Sequence, residues 1–179
     1  MIMPEKVAEN FISQSESINA VEEYGRGNIH DTYLVKLNEE DESFILQRIN
    51  TQVFKRPDLI MHNLRLICEH VHDQKKFADS RIDSGWKMLH IIPTRDQEDF
   101  FIDSGGGFWR ALSFIYGAHP LERIASLDNA REAGRALGIF HHLTSNFNPE
   151  HLQDTLPGFH NVELYLSQYD QALSHNISR

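Results

Sequence analysis

The chain of 179 residues has one cysteine, Cys68, so no disulfide can form within it. A fold held without crosslinks fits a reducing compartment. Positive charge is scarce as well. Seventeen Lys and Arg stand against 26 Asp and Glu, giving a net charge of -9 at pH 7 and a pI near 5.6. A nucleic-acid-binding face works through clustered cations that displace counterions, so no nucleic-acid partner is expected. A small anionic ligand needs only a few local cations and stays open. Long apolar runs are missing too, none approaching the roughly 18 residues that a membrane-spanning helix requires. The first residues, Met1-Ile2-Met3-Pro4-Glu5-Lys6, carry no apolar secretory core. These absences predict a cytoplasmic protein without a membrane partner. The eleven histidines do not form ligand pairs. His70 and His72 diverge on a helix, as do His141 and His142, and no two have the i, i+3 or i, i+4 spacing that shares a face. No intrinsic metal site is expected.

What is present is an ordinary globular composition, 40% hydrophobic and 24% charged. Pro4 to Gln14 reads as a short helix with Val7, Phe11 and Ile12 on one side. Three strands follow: Ile18 to Tyr24, Leu34 to Leu37 and Phe44 to Ile49. Between the first two lies Gly25-Arg26-Gly27-Asn28-Ile29-His30-Asp31-Thr32-Tyr33, a glycine-rich turn that feeds a strand. A dinucleotide-binding turn feeds a helix instead, so that reading is set aside. Between the second and third lies an acidic turn, residues 38–42. Pro57 to about His72 reads as a helix whose apolar face carries Ile60, Leu64, Ile67, Cys68 and Val71. A polar loop is expected over 73–84. Trp86 to Pro93, Phe100 to Asp103 and Phe108 to Ile115 read as strands, the last two joined by Asp103-Ser104-Gly105-Gly106-Gly107. Ile102-Asp103-Ser104-Gly105 has the look of a metal motif, but it closes a hairpin and reads as a turn. Tyr116 to Pro120 reads as a linker. Ser126 then caps a helix from Leu127 to about Thr144, with Ala130, Ala133, Gly134, Leu137 and Gly138 on one face. A second helix after Pro157-Gly158 carries the stripe Val162, Leu166, Tyr169 and Leu173. The class is α+β, a twisted antiparallel sheet with one packed helix followed by a helical region.

The ordered set of Gly25-x-Gly-x-Ile-x-Asp-Thr-Tyr33, Phe44-Ile-Leu-Gln-Arg-Ile-Asn50 with Val53-Phe54-Lys55, Phe108-Trp-Arg110 with Phe114-Ile115, and Leu156-Pro-Gly-Phe-His160 resembles a known family. It is similar to the N-acetylhexosamine 1-kinases of the aminoglycoside-phosphotransferase branch of the kinase-like superfamily. The likeness runs from about Ile18 to Leu173.

The resemblance implies a kinase-like nucleotide-covering lobe over residues 1–117 and the helical start of a second lobe over 118–179. It implies ATP and Mg2+ as cofactors, and transfer of the γ-phosphoryl group to an N-acetylhexosamine hydroxyl, the anomeric one. Backbone N–H groups of Gly25, Arg26, Gly27, Asn28, Ile29 and His30 would cradle phosphates. His30 stands where relatives carry Asn. Arg48 would be the phosphate-pairing cation, Leu46 on its strand face would lie against the adenine, and the backbone of Phe114, Ile115 and Tyr116 would bond the adenine edge. Asn63, flanking the apolar face of its helix, would orient Arg48. The family's His-Gly-Asp and Ile-Asp-x-Asp stretches, which supply the catalytic and metal-holding Asp, have no counterpart before Arg179. No catalytic or metal residue is therefore expected within the chain. It would be inactive alone, bind the sugar only with a further lobe, and self-associate through exposed helix faces. The alternative is a non-catalytic nucleotide-binding or scaffold module.

Overall fold

The computed structural model describes residues 3–38, 42–77, 85–118 and 123–177. They form a mixed α+β structure of four helices and one six-stranded antiparallel sheet. The strands are β1 (Ile18–Glu23), β2 (Asp31–Leu37), β3 (Ser43–Ile49), β4 (Ile91–Ile92), β5 (Phe101–Ile102) and β6 (Phe108–Ser113). The helices are α1 (Pro4–Ala8), α2 (Pro57–Phe77), α3 (Leu127–Thr144) and α4 (Val162–Ile177). The sheet order is β1-β2-β3-β6-β4, with β5 paired to β6. Residues 39–41 of the acidic turn, 78–84 of the polar loop and 119–122, which take in the end of the linker, lie outside the described residues.

Side chains along a strand alternate between faces, and here the two faces bury different partners. On one face Val35, Phe44, Leu46, Trp109 and Ala111 form a core with Val7, Ala8, Phe11 and Ile12 from α1 and the 3-10 turn that follows it. On the other, Ile49 and Phe108 pack with Met61 of α2, joined by Phe54, Ile60 and Leu64. The sheet is thus covered by a short N-terminal helix on one side and by the long α2 on the other. Helix α1 is shorter than expected; its amphipathic segment tightens into the 3-10 turn Glu9–Phe11. Helix α2 runs beyond its expected end at His72.

The segment 85–90 is not the strand its composition predicts. Two of its carbonyls serve α2: Lys75 Nζ donates to the Trp86 carbonyl at 3.1 Å and Cys68 Sγ to that of Leu89 at 3.4 Å, while the His90 carbonyl accepts from Ser113 N of β6 at 2.9 Å. The ladder with β6 takes in Ile91 and Ile92. The β5–β6 turn is built on Asp103, which is buried. Its carboxylate accepts from Gly105 N at 2.7 Å, Gly107 N at 2.9 Å and Trp109 Nε1 at 2.8 Å. The Trp109 bond foremost holds this carboxyl below its ordinary value. A side chain at Gly107 would collide with it, since a Cβ there would stand 3.0 Å from Asp103 Cγ. The carboxylate is spent on the turn, as a turn residue's is.

Beyond the sheet, Ser126 caps α3 by accepting from Asn129 N at 3.1 Å. The region after α3 is tied to α2 by His70 with Asn146 at 3.0 Å and by the edge-on His70 and Phe147 rings. Leu137, Gly134 and Gly138 on α3 and every described side chain of α4 are exposed, Tyr169 at 61% and Leu166 at 58%.

Leu46→Ala, inside the core under α1, should cost about 2–5 kcal/mol of folding stability. Leu166→Ser on α4 should change it by less than ~0.5 kcal/mol. Urea melts of both variants check the contrast, and equal losses would contradict it.

Candidate functional site

Gly25 takes φ +84°, which an L side chain adopts only under strain, and so turns β1 back toward β2. Tyr24 N donates to the Thr32 carbonyl at 2.8 Å and closes the neck of the loop. Among the described residues, the N–H groups of Gly25, Gly27, Asn28, Ile29 and His30 donate to no backbone carbonyl. A small polar cavity of about 180 Å³ lies inside the hairpin, bordered by Tyr24, Gly25, Gly27, His30 and Thr32. Glu23 and Asp31 also border it.

Register assigns each nearby side chain to a face. Tyr24 and Thr32 lie together at the mouth of the hairpin, Thr32 pairs with Gln47, and Gln47 pairs with Arg110. This row is on the α2 face. The side chains are bonded in sequence: Gln47 Nε2 donates to Thr32 Oγ1 at 2.9 Å, and Arg110 donates to Gln47 Oε1 through Nε at 3.0 Å and Nη2 at 2.6 Å. Phe114, four residues on from Arg110, belongs to the same face. Its ring meets that of Tyr24 edge-on at 5.8 Å between centroids. Strands β1 and β6 are not neighbours, so this contact requires the sheet to curl toward the α2 face.

The residues expected to form the nucleotide site separate into two groups. Gly25, Gly27 and His30 border the hairpin cavity, with Arg26, Asn28 and Ile29 in the same loop. Phe114 reaches the loop's mouth through Tyr24, and Ile115 and Tyr116 follow β6, with Tyr116 edge-on to Phe114 at 4.9 Å. Leu46 and Arg48 are on the opposite face. Leu46 is fully buried in the core under α1 and offers no surface to a base. Arg48 stays beside the hairpin, but its guanidinium lies 5.8 Å from the Trp109 ring centre and 3.8 Å from the Asp31 carboxylate, across the sheet from Gln47. Asn63 does not orient it. Asn63 Nδ2 donates to the Gln153 carbonyl at 2.8 Å and its Oδ1 accepts from Gln153 N at 2.9 Å, so it ties α2 to the segment after α3. The placement of α1, which makes the Leu46 face a core, carries no local signal in β3.

Three residues of this face were given no site role from the sequence: Tyr24, and Gln47 and Arg110 of the quoted motifs. A strand position with a long cation between apolar neighbours, as Arg110 between Trp109 and Ala111, is the signal that was there to be read. Beside them, a groove of about 810 Å³ runs between α2 and the end of β6, lined by Cys68, Val71, Leu89, Ile91, Phe114 and Ile115. That size suits a small molecule. Burial pushes the Cys68 thiol up, so it stays protonated there.

His30 Nδ1 accepts from Asn50 N at 3.1 Å, and its ring packs on Phe54 at 5.4 Å. Burial foremost, and then the Arg110 cation, push its pKa below the ordinary 6.5, with Asp31 opposing. No protein-family model matches the chain. Among the described residues no three His, Cys, Asp or Glu converge to hold a metal, and no helix is long and apolar enough to cross a membrane.

Because the folded value of His30 lies below the unfolded one, its contribution to stability is complete above the ordinary 6.5 and is lost as pH falls through the lowered value. Loss of this contribution should therefore lower the melting temperature as pH falls from 6.5 toward that lowered value. His30→Asn keeps an acceptor for the Asn50 N–H without titrating, and should flatten that part of the profile. An unchanged profile in the variant would contradict the assignment.

Proposed function

We propose that the chain is the nucleotide-covering part of an ATP-dependent phosphotransferase of the sugar-kinase type, whose acceptor is an N-acetylhexosamine hydroxyl. The observation that carries this reading is the contact of Tyr24 with Phe114. It brings the glycine hairpin and the segment after β6 together over one face of the sheet. A nucleotide needs that span, with phosphates at one end and the base at the other. Backbone N–H groups of Gly25 to His30 face the phosphates in this reading, where the missing side chains of Gly25 and Gly27 allow close approach. The Phe114 and Tyr116 rings flank the base, and the backbone of Ile115 and Tyr116 offers its edge hydrogen bonds.

The hairpin fits a phosphate group, since among the described residues the N–H groups of Gly25, Gly27, Asn28, Ile29 and His30 donate to no backbone carbonyl. It does not by itself fit a divalent cation. Magnesium would arrive on the nucleotide's own phosphates, where it offsets the repulsion from Glu23 and Asp31. The chain's own residues bind and orient; they include no His-x-Asp, so turnover by the 179-residue polypeptide alone is not expected.

Calorimetry with ATP and magnesium should detect binding, while a coupled assay with N-acetylglucosamine should show no turnover by the pure chain. Absence of binding to both ATP and adenosine would overturn the nucleotide reading. Robust turnover would overturn the inactivity of the isolated polypeptide.

A further inference from the structure

The row Thr32–Gln47–Arg110 contains one charge, and every contact it makes is neutral. Arg110 gives Nε and Nη2 to the amide oxygen of Gln47, and its Nη1 stands 4.0 Å from Met61 Sδ. The residue is half-buried between the sheet and α2. Among the described residues no carboxylate forms an ion pair with it. Burial alone pushes its pKa down, with no opposing anion. A cation removed from water and left without a counter-ion is costly unless something anionic completes it. Arg48, which also stands beside the hairpin, already has Asp31 and the Trp109 ring and is on the opposite face of the sheet. Burial foremost, and after it the Arg110 charge, lower the pKa of His30 at the border of the hairpin cavity.

We propose that Arg110, and not Arg48, is the cation that receives the terminal phosphates of a polyphosphate ligand, with Gln47 as its positioning residue. The inference rests on reading the glycine hairpin as a phosphate site. Gln47 is held from the other side by Thr32, so its oxygen fixes two of the guanidinium donors and leaves Nη1 to turn from a thioether to a phosphate oxygen. Charge-assisted bonds to phosphate are about twice as strong as neutral ones, so an entering phosphate displaces the weak Met61 contact.

The test uses the full chain at low ionic strength, with inorganic tripolyphosphate, ATP and adenosine as separate calorimetric probes. Wild type should bind tripolyphosphate. Arg110→Met should weaken that binding by about tenfold or more, and Arg48→Met by less than about twofold. Adenosine binding should be the same in wild type and Arg110→Met. Because the guanidinium has no counter-ion, Arg110→Met beside Met61 should melt at the wild-type temperature or above it. Gln47→Glu places a carboxylate against the guanidinium, so it should raise the melting temperature and weaken tripolyphosphate binding; it decides the matter if Arg110→Met does not fold. The proposal is overturned by full tripolyphosphate binding in Arg110→Met or Gln47→Glu, by its loss in Arg48→Met, or by a wild type that does not bind tripolyphosphate. Tripolyphosphate binding through Arg110 without any adenosine binding would leave the inference standing and remove the nucleotide reading.

Discussion

Everything at the site follows from the alternation of side chains along β3. Phe44, Leu46 and Arg48 point one way, and Ile45, Gln47 and Ile49 the other. Once Val7, Ala8, Phe11 and Ile12 settle on the first set, Leu46 becomes core and Arg48 is committed to the same side. The second set is left to α2 and to the glycine hairpin. A slip of one residue would exchange the two faces entirely, so the buried contacts on both sides fix the register and, through it, which cation meets a ligand. The ladder from β2 through β3 to β6 is unbroken over this stretch, pairing Thr32 with Gln47 and Gln47 with Arg110.

The rigid parts and the open parts are divided accordingly. Trp109 is buried beneath α1, its indole N–H is anchored on Asp103, and Arg48 lies over its ring. That fixes the β6 backbone and thereby the direction of Arg110 on the reverse side. The bond from Tyr24 to Thr32 closes the neck of the hairpin, and among the described residues the N–H groups of Gly25, Gly27, Asn28, Ile29 and His30 donate to no backbone carbonyl. The hairpin can therefore adapt to a ligand while the strands beneath it hold still. This is the arrangement expected where binding groups sit on a loop carried by a stable scaffold.

Much of this was legible in the sequence. Alternation identified the strands, Pro57 and Ser126 marked the helix starts, and glycine and aspartate marked the turns at 25–30 and 103–107. The shared face of Leu46 and Arg48 was legible as well. Which side of the sheet that face would occupy was not, because it depends on α1 docking over strands distant in sequence. The same is true of Asn63, whose partner Gln153 lies in the helical region, and of 86–89, where α2 side chains take the Trp86 and Leu89 carbonyls. The exposed apolar stripe of α4, with Val162, Leu166, Tyr169 and Leu173, was read correctly as a helix face; its lack of cover among the described residues is a tertiary fact.

The most direct test of the two-faced account is an NMR titration of the isotope-labelled chain with ATP and magnesium, following backbone amides and arginine Nε–H signals together. The account predicts that the amides of Gly25 to His30 and the Nε–H of Arg110 shift along one binding curve while the Nε–H of Arg48 stays in place. Shifts at Arg48 with Arg110 unmoved would contradict it.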